Sequence, residues 1–196
     1  IDVVIHSATK YFGGHSDISA GAIASTQNYV DKIWNLAKDF GGNLSDFSVW
    51  MLERSMKTLA IRVKAQQKNA KKMVRFLEKH SGVDNVYYPG LKSHEHHQLA
   101  KTQMKGFGAM LSFELSNAYD TVLFLKSLQL IKPSMSLAGV ESTMILPAIA
   151  SHALLSESDR LSQGITDQLI RFSVGIESKK DLINDIEQAL SLSKKH

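Results

Sequence analysis

Apolar and polar side chains alternate along the chain in short stretches whose period changes between that of a strand and that of a helix. Short apolar or β-branched runs predict strands at 1–5, 20–24, 86–88, 109–115, 131–136 and 169–174. Apolar residues at helical spacing predict helices over 31–37 and 119–128, and a last helix that begins after Ser178. Strands separated by helices are typical of an α/β or α+β domain.

The longest amphipathic pattern lies in the second quarter of the chain. Its apolar positions advance in alternating steps of four and three, and only Gln66 interrupts them; they are Leu52, Met56, Leu59, Val63, Ala70, Met73 and Leu77. We therefore predict one long helix over about 46–80, with Ser45 or Asp46 as its N-cap and Ser81-Gly82 after its end. A helix of this length often joins two domains.

Composition then bounds the class of protein. The 196 residues are 43% hydrophobic and 21% charged, as in an ordinary globular protein with a real core. The chain contains no Cys, which excludes disulfides and cysteine metal sites and makes a reducing cytoplasm the expected location. No apolar run approaches the roughly 20 residues that cross a bilayer, so we expect no membrane partner. The chain starts at Ile1 in a strand-like run, and we expect it to be cut from a longer sequence.

The net charge of +4 is modest, and its distribution matters more than its size. Nine of the 23 basic residues lie between Arg54 and Lys79, on the predicted long helix. Such a helix face is either solvated or a surface for nucleic acid. Because the chain carries no recognised nucleic-acid-binding motif, the solvated face is favoured and no nucleic-acid partner is predicted.

The sharpest local chemistry lies directly after the first predicted strand. Residues 7–11 read Ser-Ala-Thr-Lys-Tyr, and two glycines follow at positions 13 and 14. The amine of Lys10 can bond to an aldehyde cofactor once it is deprotonated. The hydroxyls of Ser7 and Thr9 can donate hydrogen bonds to a phosphate. On spacing alone, however, a lysine after a strand is more often a solvated surface residue.

Five segments, in chain order, resemble the Cys/Met-metabolism family of pyridoxal-phosphate enzymes. The family contains cystathionine β- and γ-lyases, cystathionine γ-synthase, methionine γ-lyase and homoserine sulfhydrylases. The matching segments are 7–17 (SATKYFGGHSD), 52–59 (LERSMKTL), 88–97 (YPGLKSHEHH), 136–142 (SLAGVES) and 169–177 (LIRFSVGIE). Ser55 stands where the family usually has glycine, and 136–139 reads Ser-Leu-Ala-Gly against the family's Ser-Leu-Gly-Gly. One such match is common by chance, whereas five in register are not.

The resemblance implies an α/β fold, that of a fold-type-I pyridoxal-phosphate enzyme. Residues 1–59 are then the end of the large cofactor domain, and 60–196 form the small C-terminal domain with a mostly antiparallel sheet. The family also implies a homo-oligomer, a tetramer built as a dimer of dimers, in which a neighbouring subunit completes the site. Its cofactor ring is held by residues upstream of the lysine segment, so we expect this chain alone to be inactive.

The resemblance also assigns roles to individual residues. Lys10 would carry pyridoxal 5'-phosphate as a Schiff base and move protons at the substrate Cα, and Ser7 and Thr9 would hold the phosphate. Arg171 would clamp the substrate α-carboxylate, which suits the forked geometry of guanidinium. Ser136 would help to position the lysine and the carboxylate. The competing interpretation of Arg171 is a buried structural ion pair.

A histidine-rich stretch at 94–97 raises the question of a metal site. It reads His-Glu-His-His, and histidines are common zinc ligands. Neighbouring histidines on one loop rarely converge on a single ion, and the resembling family has such a stretch without a metal. We therefore predict no metal.

The predicted function is that of a pyridoxal-phosphate-dependent carbon–sulfur lyase of the transsulfuration type, acting on cystathionine or a related sulfur amino acid. Cystathionine γ-synthase or homoserine sulfhydrylase activity is the alternative, and a non-catalytic fragment that serves only assembly is a second one. Met135 tilts the choice modestly toward lyase action, because related γ-synthases and γ-lyases commonly have glutamate before the serine that matches Ser136. An apolar residue there favours uncharged substituents.

Overall fold

The computed structural model describes residues 1–195, and these fall into two compact units. Unit 1 is Ile1–Ile61, and unit 2 begins at Arg62. The assignment of 1–59 and 60–196 to two enzyme domains stays a prediction. None of the described helices is long and apolar enough to cross a membrane.

Unit 1 starts with a β-hairpin that carries the lysine segment in its loop. Strand β1 (Val3–Ser7) pairs antiparallel with strand β2 (Gly21–Ser25), and the register places Ser7 opposite Gly21. The β-branched residues of β1 suit a strand, and the glycine-rich stretch that follows lets the chain reverse. The loop between the two strands is therefore anchored at both ends.

Helix α1 (Gln27–Phe40) follows the hairpin, is longer than the predicted 31–37 and ends at Gly41. Gly41 adopts the left-handed conformation, with φ of 72°, and its N–H donates to the carbonyl of Ala37. Glycine is favoured there because it has no Cβ to clash with the neighbouring carbonyl. The next helix begins after Ser45, whose hydroxyl accepts from the N–H of Ser48 and confirms the predicted N-cap.

The prediction of one long helix over 46–80 is wrong, because two helices occupy that stretch. Helix α2 spans Asp46–Met56 and helix α3 spans Leu59–Leu77. Between them, the N–H and the hydroxyl of Thr58 both donate to the carbonyl of Ser55, at 3.2 and 3.1 Å. This tight turn ends the α-helical bonding. The apolar stripe continues through the break, which explains why the pattern did not reveal it.

Unit 2 alternates strands and helices, as the sequence predicts. Along the chain these are β3 (Val83–Tyr87), α4 (His97–Gln103), β4 (Met110–Leu115), α5 (Thr121–Ser127), β5 (Lys132–Pro133), β6 (Thr143–Ile145), α6 (Glu157–Ser162), β7 (Leu169–Ser173) and α7 (Lys179–Ser193). The predicted strand at 131–136 is reduced to two residues, while β6, α4 and α6 were not predicted. Ser178 is the N-cap of α7, but its side chain makes no capping hydrogen bond.

The five strands of unit 2 form one sheet in the order β3-β4-β7-β6-β5. Three neighbouring pairs are antiparallel and only β5 and β6 are parallel, which confirms the predicted mostly antiparallel sheet. Leu111 and Phe113 of β4 lie opposite Phe172 and Ile170 of β7, and all four are buried.

One face of this sheet is covered by helices, and the other carries mostly polar side chains. The buried faces of α3 and α7 join the strand residues in a single core, to which they contribute Ala70, Met73, Val74, Leu77, Leu182, Ile186, Ala189 and Leu190. Side chains alternate across a strand. Ser112 of β4 and Arg171 of β7, which are paired in register, therefore lie on the face away from this core. This face of the sheet presents Arg171.

Candidate functional site

Lys10 lies in a tight turn at the end of β1. Its backbone N–H donates to the carbonyl of Ser7 at 3.1 Å, and its carbonyl accepts from the N–H of Gly14 at 2.7 Å. These two bonds fix the backbone on both sides of the lysine, and its side chain is half-buried. The structure thus places Lys10 where the sequence predicts, at a strand end in a well-defined loop.

The two hydroxyls near Lys10 differ in the hydrogen bonds that they make within the chain. The Thr9 hydroxyl accepts from the N–H of Ala20 at 2.9 Å and donates to the carbonyl of Ala20 at 3.3 Å. Ser7 is exposed to solvent. Ser7 is therefore the more accessible donor for a phosphate, while Thr9 also ties the lysine loop to the start of β2.

Gly13 allows the lysine loop to fold tightly against Ala8 and Ile18. The N–H of Gly13 donates to the carbonyl of Ala8 at 2.8 Å, and a Cβ at this position would meet the Ile18 side chain at 2.9 Å. A larger residue would push the turn open. The closed loop presents one amine and two hydroxyls within four residues, which is the donor set that a phosphorylated aldehyde requires. The residues present therefore fit pyridoxal phosphate.

Arg171 of β7 lies on the polar face of the sheet and is held by the chain segment that follows β5. Its Nη2 donates to the carbonyl of Met135 at 2.8 Å and, at 3.4 Å, to that of Ser136. Its Nε is buried and has no hydrogen-bond partner among the residues that the structure describes. Burial lowers the pKa of Arg171 from its usual value. The guanidinium is thus oriented through one nitrogen and unsatisfied at another.

The competing interpretation of Arg171, a structural ion pair, finds no support in residues 1–195. None of the ion pairs in this described part of the chain includes Arg171. Arg160 shows what such a pair looks like here, since it is buried and its Nη2 lies 2.9 Å from the carboxylate of Asp167. The two arginines therefore differ in the partner that each one has.

Ser136 lies next to Arg171, and several hydrogen bonds hold its backbone. The N–H of Ser136 donates to the Ser134 hydroxyl at 3.1 Å, and its carbonyl accepts from the Thr143 hydroxyl at 2.8 Å. Two residues later, Ala138 adopts a left-handed conformation with φ of 65° and donates its N–H to the Ser173 hydroxyl at 2.7 Å. This segment is ordered by unit 2 itself.

The predicted site residues therefore form two groups. Ser7, Thr9 and Lys10 share one loop of unit 1, and Ser136 and Arg171 are in contact in unit 2.

The histidine-rich stretch makes separate contacts. His97 Nδ1 donates to the carbonyl of Pro89 at 2.8 Å, and its ring stacks on that of Phe107 with 5.6 Å between the centroids, while His96 Nε2 lies 3.2 Å from the carboxylate of Glu95. No group of three or more possible ligand side chains that could hold a metal occurs among residues 1–195. The absence of a metal stays a prediction.

Sequence reasoning missed the polar residues that hold this part of unit 2 together. Gln66 is fully buried, and its Nε2 donates to the carbonyl of Gly139 at 2.6 Å. Asn69 donates to the carbonyls of Gly175 and Glu177 at 3.1 and 2.8 Å. A signal for Gln66 did exist, because it is the polar residue that interrupts the apolar stripe of the helix.

Comparison with known proteins identifies the family. Residues 1–191 match the sequence model of the family described as Cys/Met metabolism PLP-dependent enzyme. Cystathionine beta-lyase of Lactococcus lactis subsp. cremoris (strain MG1363) and cystathionine gamma-lyase of Bacillus subtilis (strain 168) are each 44% identical over 96% of this chain and 50% of their own length. Cystathionine gamma-synthase 1 of Arabidopsis thaliana is 45% identical over 96% of this chain and 34% of its own length.

Solved structures resemble the fold equally well. The crystal structure of cystathionine gamma-lyase from Lactobacillus plantarum, complexed with L-serine, superposes with a TM-score of 0.92 at 40% identity. The alignment covers 98% of this chain and 51% of that one. The chain thus spans about half the length of the bacterial relatives it matches. These findings confirm the predicted family, fold class and cofactor. The chain belongs to the family of pyridoxal-phosphate-dependent enzymes of cysteine and methionine metabolism.

Proposed function

We propose that this chain contributes the cofactor lysine and the substrate-carboxylate site of a pyridoxal-phosphate-dependent carbon–sulfur lyase of the transsulfuration type. Its substrate is cystathionine or a related sulfur amino acid. The observation that carries this proposal is the state of Arg171, a half-buried guanidinium on the polar face of the sheet with no acidic partner in residues 1–195 and a buried, unpaired Nε.

Arg171 has the features expected of a carboxylate clamp. An unpaired buried N–H destabilises a protein unless a ligand satisfies it. The carbonyl of Met135 fixes the orientation of Nη2, so little side-chain freedom remains to be lost when a carboxylate binds. Guanidinium and carboxylate form two parallel hydrogen bonds, which orient an α-amino acid as well as hold it.

The lysine loop supplies the second half of the chemistry. When bound, pyridoxal phosphate supplies an electron sink for negative charge that develops at the substrate Cα. The Lys10 amine would hold the cofactor through its aldehyde and, when free, would accept and return the proton at the substrate Cα. The Ser7 hydroxyl, and the Thr9 hydroxyl once it releases the Ala20 carbonyl, would donate to the phosphate and fix the orientation of the cofactor.

The side chain at Met135 favours elimination over transfer. Its carbonyl binds Arg171 and the residue is 61% exposed, so the backbone of Met135 borders the proposed carboxylate site while its side chain is open to solvent. An apolar group there offers no charge to attract a distal ammonium and suits uncharged thioether or alkyl substituents.

The γ-replacement reaction of cystathionine γ-synthase is the second candidate. It is supported by the similarity to the Arabidopsis enzyme, whose 45% identity is no lower than that to the lyases. Product analysis separates the two. The full-length enzyme is offered cystathionine, methionine and an O-acylhomoserine with cysteine, each separately. We expect elimination products to form fastest, and faster γ-replacement would show that Met135 does not set the reaction.

The proposal also extends to assembly and location. Unit 1 exposes large apolar side chains, including Trp34, Phe40 and Trp50, which is the pattern of a surface that is covered in a larger assembly. We propose a homo-oligomer, a tetramer built as a dimer of dimers, in the cytoplasm. Sedimentation of the full-length enzyme checks the oligomeric state, and an active monomer would contradict it.

A further inference from the structure

Two loops of unit 2 flank the proposed carboxylate site, and one helix holds both. The first loop includes Ser136 and continues to Gly139, and the second follows Arg171 at the end of β7. Gln66 and Asn69 lie three residues apart on α3, a spacing that places both side chains on the same face of the helix. Gln66 donates to the first loop and Asn69 to the second.

The contacts to the first loop come from a completely buried side chain. Gln66 is 0% exposed, and its Nε2 donates to the carbonyl of Gly139 at 2.6 Å and, at 3.4 Å, to that of Ala138. Its Oε1 has no hydrogen-bond partner within residues 1–195. A buried amide with one unsatisfied oxygen destabilises a core relative to an apolar residue of the same size. The two donated bonds therefore need an explanation other than stability.

The contacts to the second loop repeat this arrangement one helical turn further on. Asn69 Nδ2 donates to the carbonyl of Gly175 at 3.1 Å and to that of Glu177 at 2.8 Å. Both amides thus bind backbone carbonyls and not side chains. Such bonds fix the path of a loop whatever side chains the loop carries.

The two loops also touch each other directly. The N–H of Ile176 donates to the carbonyl of Val140 at 2.9 Å. A Cβ on Gly175 would lie 2.3 Å from that same carbonyl oxygen, so only glycine allows this approach. Ala138, with φ of 65°, is held in a conformation that residues other than glycine rarely adopt. The spacing between the loops is therefore tightly constrained.

Only a few residues of chain connect these loop contacts to the proposed clamp. Gly139 lies three residues after Ser136, and Gly175 lies four residues after Arg171. The Arg171 guanidinium is in turn bonded to the carbonyls of Met135 and Ser136. A shift of either loop therefore changes the distance between the guanidinium and the Ser136 segment.

We infer that Gln66 and Asn69 are positioning residues, through which helix α3 sets the geometry of the carboxylate site formed by Arg171 and the Ser136 loop. They act without contacting the substrate. This inference rests on the proposed function, because it requires that Arg171 bind the substrate carboxylate.

The test uses the full-length enzyme with its cofactor bound and the variant Gln66→Met. Methionine has a similar volume but no N–H, so both bonds to the loop are lost while the core stays filled. Gln67→Met is the matched control, because Gln67 lies on the same helix but accepts from the N–H of Gly108, at 3.2 Å, in another loop. We expect Gln66→Met to raise the KM for the amino-acid substrate about tenfold, with little change in cofactor absorbance, and Gln67→Met to leave KM near that of the wild type.

A second comparison separates positioning from a general loss of stability. In an Arg171→Lys background, Gln66→Met should raise KM by much less than it does in the wild type, because both changes damage the same site. A merely structural role would give the same further increase in both backgrounds. Asn69→Leu is the alternative variant if Gln66→Met does not fold, and it should show the same dependence on Arg171.

The outcomes are distinct. If Arg171→Lys raises KM while Gln66→Met and Asn69→Leu behave like Gln67→Met, the positioning inference is overturned and the proposed function stands. If Arg171→Lys itself leaves KM unchanged, the carboxylate clamp is wrong and the inference falls with it. A loss of Gln66 sensitivity in the Arg171→Lys background supports both.

Discussion

Unit 1 and unit 2 differ in how much apolar surface they bury. Unit 2 closes a continuous core of strand and helix residues, in which Phe113, Phe124 and Phe172 are fully buried. In Ile1–Ile61, Ala8 and Ile18 are the buried apolar side chains, and helix α1 buries none. Burial of apolar surface is the main source of folding free energy, at about 25 cal/mol per Å². Unit 2 therefore carries its own stability, whereas unit 1 depends on further contacts.

The same difference separates the two groups of proposed site residues. Arg171 and Ser136 are held by a sheet and a helix that share a closed core. Lys10 lies on a hairpin whose strand residues Val4 and Ile5 are exposed. We therefore expect the carboxylate site to keep its geometry in this chain alone, while the lysine loop needs surfaces beyond it to complete a cofactor site.

The largest expected effect comes from truncating one phenylalanine in each unit. Phe172 is 0% exposed in the core of unit 2, and Phe172→Ala should lower the free energy of unfolding by about 3–5 kcal/mol. Phe40 at the end of α1 is 85% exposed, and Phe40→Ala should change it by less than about 0.5 kcal/mol. Urea unfolding of this chain, followed by circular dichroism, measures both. Equal losses would show that unit 1 has a core of its own.

The next effect concerns substrate binding and not stability. In the full-length enzyme, Arg171→Lys should weaken binding of the amino-acid substrate by about 1.5–3 kcal/mol, because a point charge replaces a two-pronged donor. Cofactor content should not change, since the lysine loop is untouched. Substrate titration and the cofactor absorbance measure the two quantities. A variant that fails to fold would instead support a structural role for Arg171.

A smaller effect is expected at two residues with a left-handed backbone conformation, one in each unit. Ala138 has φ of 65° and Gly41 has φ of 72°, with open space around the latter. Ala138→Gly should stabilise the full-length protein by about 0.5–1 kcal/mol, because relief of strain exceeds the added entropy of the unfolded chain. Gly41→Ala should destabilise it by a similar amount. Thermal unfolding checks the opposite signs, and two changes of the same sign would contradict the account.

The smallest effect is a pH dependence of unit 2. Burial alone would raise the pKa of Glu114, but hydrogen bonds from Thr166, Asn85 and Tyr87 outweigh it and hold the pKa below the usual value. A carboxylate with a lowered pKa in the folded state stabilises the protein above its unfolded pKa, and that contribution is lost as the pH falls through the folded value. Stability should therefore decrease on acidification below about pH 4.3.

Glu114→Gln should remove part of this acid sensitivity. Glu53 is the control in unit 1, because its ion pair with Lys57, at 3.5 Å, is exposed to solvent and contributes little. The urea midpoint of each variant is measured at roughly equal pH intervals between pH 3 and pH 7, and the two pH profiles are compared. If Glu53→Gln reduced the loss of stability at low pH as much as Glu114→Gln does, the hydrogen-bonded carboxylate of unit 2 would contribute no more to the acid sensitivity than an exposed ion pair.

Much of the fold could be predicted from the sequence where a periodic pattern decides the structure. The strands at β4 and β7 and the buried face of α7 follow directly from alternating or helical spacing of apolar residues. The break at Thr58 could not be seen, because the apolar stripe continues across it. Helix α4 was missed because His97–Gln103 has no buried residue and hence no apolar face. Strand β6 is only three residues long.

The candidate site was predictable in part for a different reason. Lys10 and Arg171 stand in segments that resemble a known family, and spacing alone would not have distinguished them from surface or ion-paired residues. Gln66 could be singled out because it is the polar residue that interrupts the apolar stripe of the helix. Its partner Gly139 lies 73 residues away, and no local pattern connects two such distant positions. Contacts of this kind are decided by tertiary packing.

The central claim, that this chain supplies the lysine that holds the cofactor, has one direct test. Borohydride reduction of the cofactor-loaded full-length enzyme fixes the cofactor permanently to the amine that carries it, and mass spectrometry of the digested protein locates the modified lysine. We predict that the modification lies on Lys10, and that the peptide containing this position carries none in Lys10→Ala. A modification on a different lysine, with Lys10 unmodified, would contradict the account.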